Sequence, residues 1–241
     1  MLNANVRTAD RGPLDKTNRS VILTTQLVMN RRPSRLRSRR AAPGTRERLF
    51  AAAAAEFAAR GFAGAKVDRI AATARVYKAM LYYHFKSKAG LYHEILRDMF
   101  QAVAVRIGDG SGPRPEPAAR IRALVEAIAR EAEARPHFPA IWLREIAEGG
   151  THVDPAIMAI IVGILEHVAR AVQEGVAAKR FRPASPLMVQ LGIVGPLLMF
   201  FATAALRRKA PARRAIAVPL TTEQVIAHVQ RVTLLTLEGK T

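Results

Sequence analysis

From Thr45 onward, apolar side chains return every three or four residues, the spacing of a helix with one buried face. Phe50, Ala53, Ala54 and Phe57 form the first stripe, and Gly61 is placed to end that helix. Ile70 and Ala71 mark a short second helix over 67–74, and Leu81 and Phe85 a third over about 78–84. Leu91, Ile95, Met99 and Ala102 predict a long fourth helix from Lys88 to about Ile107. Ile121, Leu124, Val125, Ile128 and Ala132 make the fifth, and Phe138, Ile141, Trp142 and Ile146 the sixth, which starts near Pro136. Ile157, Ile160, Ile161, Ile164, Val168, Ala171 and Val172 line a seventh, running to about Lys179, with Glu166, Arg170 and Gln173 opposite. Val225, Val229 and Val232 make the last stripe.

Start and stop signals divide these stripes. Thr45 and Ser87 are candidate N-caps. Asp154-Pro155 and Ser185-Pro186 each pair a cap with proline at the first helical position. Thr221 and Gln224 have capping-box spacing. Gly149-Gly150 ends the sixth helix, and segments 108–115 and 207–220 read as loops. The prediction is an all-α protein.

Leu187 to Leu206 breaks the amphipathic pattern, being apolar almost throughout. It is long enough for a membrane span. Pro196, Gln190 and Thr203 interrupt it, and basic residues flank both ends. The preferred reading is a helix buried on all sides, which in a chain of 241 residues calls for a partner subunit.

Charge adds a second pattern. The net charge is +19, and residues 101–180 contribute none of it. Residues 1–44 hold ten basic and two acidic side chains, and residues 45–100 ten and five. Positive charge therefore gathers on and before the three short helices, as phosphate binding requires. Residues 1–44 lack periodicity and read as a disordered basic arm for phosphates or the minor groove, or as a dispensable tail, with Met29 as an alternative start. Cysteine is absent, which excludes disulfides and thiol chemistry. Phosphate-binding loops, nucleophile elbows and paired metal-binding histidines are also missing, so no enzyme, cofactor or metal is expected.

Two short helices joined by a tight turn at Arg75-Val76 form a helix-turn-helix. In order, Phe57, Gly61, Phe62, Val67, Ile70, Ala71, Val76, Leu81, Tyr82, Tyr83, His84, Phe85, Lys88 and Leu91 resemble the DNA-binding domain of the TetR (tetracycline-repressor) family of bacterial regulators. The resemblance implies a three-helix DNA-binding domain over 45–92 and a helical effector-binding and dimerisation domain over 93–241. It implies DNA contacts from Thr45, Arg46, Lys66, Lys78, Met80, Tyr82, Tyr83, His84 and Lys88. Lys78 suits a base edge or phosphate, and the tyrosine hydroxyls suit phosphate oxygens. The chain departs from the family pattern at Arg75, where glycine is usual and a left-handed backbone is needed, and at Lys66, Tyr77, Ala79 and Met80. Base preference therefore does not transfer from relatives.

The resemblance further implies an effector pocket. Met99, Phe138, Trp142, Met158 and Phe181 are the candidate apolar walls, with Glu145 and His167 as orienting polar groups. The expected function is a cytoplasmic, ligand-responsive, dimeric repressor on a pseudo-palindromic operator. Its partners would be double-stranded DNA, a second copy of the chain and a small-molecule effector, without a membrane. The competing expectations are a sequence-tolerant architectural DNA binder and a membrane-anchored helical protein.

Overall fold

The computed structural model describes residues 44–109, 116–209 and 220–239. All of the 1–44 arm but Gly44, most of the 108–115 loop and most of the 207–220 loop lie outside them. Helix α1 (Thr45–Gly64) buries Leu49, Ala52, Ala53 and Phe57. Its N-cap is Gly44 rather than Thr45, which is the first helical residue. At Gly61 the backbone leaves the helix, with φ 69° and ψ 177°. Only glycine takes that conformation without steric penalty.

Helices α2 (Val67–Ala74) and α3 (Lys78–Phe85) follow. Between them Arg75 takes the left-handed conformation, φ 56° and ψ 49°. Its N–H donates to the Ala72 carbonyl and that of Val76 to Ala71, which closes the end of α2. Helix α4 (Lys88–Asp109) starts at Ser87, whose hydroxyl accepts from Gly90 N at 2.9 Å. α4 packs on α1 and α3 near its start and on the body helices α5 (Pro117–Ala134) and α7 (Pro155–Ala177) further along. Helix α6 (Phe138–Ala147) lies against α1. It begins two residues later than Pro136, with His137 as its cap.

The start signals hold in α7, α8 (Pro186–Ala202) and the last helix, α10 (Thr222–Glu238). Asp154 accepts from Ile157 N at 2.7 Å, Ser185 from Met188 N at 3.4 Å, and both halves of the Thr221–Gln224 capping box form. The run from Leu187 to Leu206 is not one helix. α8 stops at Ala202 after 17 residues, and a single turn, α9 (Ala204–Arg207), follows. That falls short of the roughly 20 residues of a typical span. α7 is the helix among the described residues long and apolar enough to cross a membrane.

Nor is α8 buried on all sides within one chain. Ile193, Leu197 and Leu198 face the core, while Met188, Leu191 and Met199 are more than half exposed. Elsewhere the buried core runs without interruption from Leu49 on α1 to Leu237 on α10. Each large aliphatic side chain so buried contributes about 1.5–3 kcal/mol. α4 and α6 therefore hold the helix-turn-helix against the body through continuous packing.

Candidate nucleic-acid interface and cavity

The helix-turn-helix is braced from behind. Glu56 on α1 accepts from Lys66 N at 3.2 Å and from Arg69 Nε at 2.7 Å. Arg69 also donates to the Gly64 carbonyl at 2.8 Å. The Arg69 hydrogen bond comes first among the causes that hold the Glu56 pKa below the ordinary carboxylate range. Ile70, Ala71, Leu81 and Phe85 fill the space between the helices. α3 is thereby fixed with one face outward, as a major-groove helix needs.

That outward face carries Tyr77 (88% exposed), Lys78, Tyr82 and Tyr83 (71% exposed). Lys78 Nζ lies 2.9 Å from Asp68 Oδ1, and this bond raises the lysine's pKa. Met80 and Thr45 meet across a shallow hollow shared with Arg75, Val76 and Tyr77. Lys66 is exposed at the start of α2. His84 is half-buried, its ring edge-on to Tyr83, and its Nε2 has no hydrogen-bond partner among the described residues.

Two candidate contacts turn elsewhere. Lys88 Nζ donates to the carbonyls of Phe62 and Ala65, at 2.8 and 3.1 Å, and lies 4.5 Å from the centroid of the Phe62 ring. Phe62 lies in the last turn of α1 and Ala65 is its C-cap, so their carbonyls fall at a helix end, where the lysine donates to them. Arg46 pairs with Glu94 on α4 at 2.6 Å and covers the ring of Phe85. Both side chains are already engaged in joining helices. Tyr77, absent from the sequence-derived contacts, is the most exposed large hydrophobic side chain among the described residues of this surface. Its signal in the sequence was an aromatic residue at a cap position where a capping side chain is expected.

Behind the interface, a polar joint connects α1, α4 and α6. Glu145 is fully buried. It accepts from Tyr92 Oη at 2.9 Å and His152 N at 2.6 Å, with His152 Nδ1 at 3.2 Å. The His152 ring packs 4.2 Å from that of Phe62, centroid to centroid, and Arg144 donates to the Ala59 carbonyl. Glu145, Glu148 and His152 also bring three potential metal-ligand atoms within 4.8 Å of one another. Both oxygens of Glu145 already accept hydrogen bonds there, which accounts for the cluster without an ion.

A cavity of about 320 Å³ opens on the other side of α6. Phe100, Phe138, Trp142 and Ile164 are among its walls, and Leu187, Gln190 and Leu191 of α8 also line it. Of the proposed pocket residues, the structure places Phe138 and Trp142 here and the other five elsewhere. Met99 is in the core, beside a smaller hollow near Pro136. Glu145 points from α6 into the joint. Met158 follows the buried Ile157 and is nearly half exposed on the outer side of α7. Phe181 packs on Gly175, where a β-carbon would collide with its ring. His167 is half-buried, and burial comes first among the causes that lower its pKa, ahead of Arg170 and Arg120.

Comparisons agree with this geometry. Residues 49–95 match the family described as bacterial regulatory proteins, tetR family. A curated relative, the HTH-type transcriptional repressor SCO4008 of Streptomyces coelicolor, is 41% identical over 63 residues, 26% of this chain. The chain spans about a third of that relative's length (33%). The fold is similar to that of the ketosteroid transcriptional regulator KstR2 of Mycobacterium tuberculosis, at 22% identity and TM-score 0.66, covering 82% of this chain and 96% of that one. It is also similar to a tetR-family regulatory protein from Rhodococcus RHA1, at 20% identity and TM-score 0.63, covering 81% and 98%. The helix-turn-helix over residues 49–95 is thus of the tetR-family type, and the helical body shares the fold of solved tetR-family regulators.

Proposed function

We propose that the protein is a dimeric, effector-responsive repressor that acts in the cytoplasm on a pseudo-palindromic operator. The observation that carries this reading is the outward face of α3. Tyr77, Lys78, Tyr82 and Tyr83 stand exposed on a helix whose other side is locked into the core. A tyrosine hydroxyl and a lysine serve phosphate oxygens, and the start of α3 is the part that reaches base edges. SCO4008 is named a repressor, which supports the direction of control.

Dimerisation through α8 and α10 is supported by the faces they leave open. Met188, Leu191 and Met199 on α8 and Val232 and Leu235 on α10 are exposed apolar residues. Gly192 and Gly195 sit within α8 with nothing near the place of a β-carbon. Glycine inside a helix costs about 1 kcal/mol relative to alanine. A partner helix approaching closely on that face gives the two glycines a use. A two-fold pair of such chains presents two α3 helices, and so reads an inverted repeat.

The cavity supports an effector site. α6 gives Phe138 and Trp142 to its wall, and gives Arg144 and Glu145 to the joint with α1 and α4. An occupant that shifts α6 bears directly on the helix-turn-helix. An effector that favours one arrangement by about 1–3 kcal/mol changes DNA affinity roughly 5–150-fold. The test is selection of bound fragments from a random duplex pool, followed by footprinting. An inverted repeat with half-sites about one helical turn apart is expected. Equal binding to all sequences would refute the reading.

A further inference from the structure

The residues that line the cavity beside Trp142 include none that is charged, and one of them, Gln190, carries a side-chain amide. Gln190 shares the cavity side of α8 with Leu187, Leu191, Val194 and Leu198. Its Oε1 is buried and has no hydrogen-bond partner among the described residues. Buried carbonyl oxygens are nearly always paired. An amide oxygen accepts and cannot donate, so the missing partner is a donor. An ionised carboxylate, by contrast, would enter this space without a cation to balance it, which burial strongly disfavours.

From this we infer that the cavity takes a neutral, mainly hydrocarbon ligand with a hydroxyl group that donates to Gln190 Oε1, and that it discriminates against ionised acids. The inference rests on the reading of this cavity as the effector site. Hydrocarbon surface against Phe100, Phe138, Trp142 and Ile164 provides affinity, and Gln190 fixes orientation. Gln190 is then the specificity-determining residue, separating alcohols from their ethers and from acids of the same skeleton.

Three probes with one skeleton test it: decan-1-ol, its methyl ether and decanoate, titrated into the full chain by Trp142 emission and by calorimetry. Decan-1-ol is expected to bind roughly five- to tenfold more tightly than the ether, the worth of one hydrogen bond. Decanoate is expected to bind weakest of the three. In Gln190→Leu the alcohol should fall to the level of the ether, and the ether should bind as well as before or better. Gln190→Met, closer in length to glutamine, serves if the leucine variant does not fold. If the ether equals the alcohol in the parent protein, if decanoate binds tightest, or if the alcohol preference survives in a folded variant, the inference fails while the effector-site reading stands. If none of the three binds or perturbs Trp142, both fail.

Discussion

Lys78 Nζ sits 2.9 Å from Asp68 Oδ1, so the first residue of the recognition helix is held by a carboxylate from the preceding helix. Both side chains are substantially exposed. The aspartate therefore competes with DNA phosphate for the lysine. Replacing Asp68 with Asn should strengthen duplex binding and steepen its salt dependence, by up to roughly one unit of log–log slope. Lys78→Ala should weaken binding in the Asp68→Asn background as well. Binding isotherms at several salt concentrations give both numbers; an unchanged slope in Asp68→Asn would show that the aspartate does not withhold Lys78, and an unchanged slope in Lys78→Ala that Lys78 meets no phosphate.

Arg75 holds a left-handed backbone at the turn. That conformation costs a residue with a β-carbon roughly 1–2 kcal/mol. Glycine there recovers this strain but loses about 0.5–1 kcal/mol through its freer unfolded chain. Arg75→Gly should raise stability by about 0.5–1 kcal/mol. The measurement is the urea midpoint at constant m-value. A lower midpoint would mean that the arginine side chain stabilises the turn by more than the backbone strain.

Burial first, and then its bond to Glu145, push the Tyr92 pKa far above the usual tyrosine range. The folded-state value is above the unfolded value of about 10, so this contribution to stability is complete below pH 10. It is lost as pH rises from 10 through the folded-state value. At neutral pH, Tyr92→Phe should destabilise the protein by roughly 1–2 kcal/mol. Above pH 10 the gap between parent and variant should narrow. Unfolding free energies from pH 8 to 12 test this, and a constant gap would count against it.

Met199 and Val232 are exposed in the single chain, on α8 and α10. Arginine at either position adds little strain to one subunit but places an unpaired charge in the proposed dimer interface. Breaking such an interface this way costs several kcal/mol. Light scattering should find a dimeric parent and monomeric, folded variants. Leu198 is unsuitable for this test, because it is buried beside the cavity and its replacement would report on folding.

Much of this was legible in the sequence because the signals are local. Asp154-Pro155, Ser185-Pro186 and the Thr221–Gln224 box each fix a helix start through contacts three residues apart. The helix-turn-helix was legible because many residues of fixed type recur in fixed order from Phe57 to Leu91. What the sequence hid is set by distance and helix phase. Glu145 meets Tyr92 across 53 positions, so a carboxylate beside an apolar stripe passed for a pocket residue. Met158 and Ile161 lie three positions apart on α7, yet only Ile161 lines the cavity. Lys88 follows a helix cap, a place suited to phosphate, and nothing local shows that the carbonyls of Phe62 and Ala65 converge on it. Thr45 was displaced as N-cap by Gly44, whose extended backbone fills the role without a side chain.

The Glu56 brace has a thermodynamic consequence. Because Glu56 already fixes Lys66 and Arg69, the start of α2, against which α3 packs, is ordered before DNA arrives. Association then need not supply the entropy of folding a recognition element. The heat-capacity change on binding should follow from the surface buried at the groove, without the large extra component of coupled folding. A reading head built this way meets every sequence with the same shape, so the energy of adapting a poor site falls on the DNA.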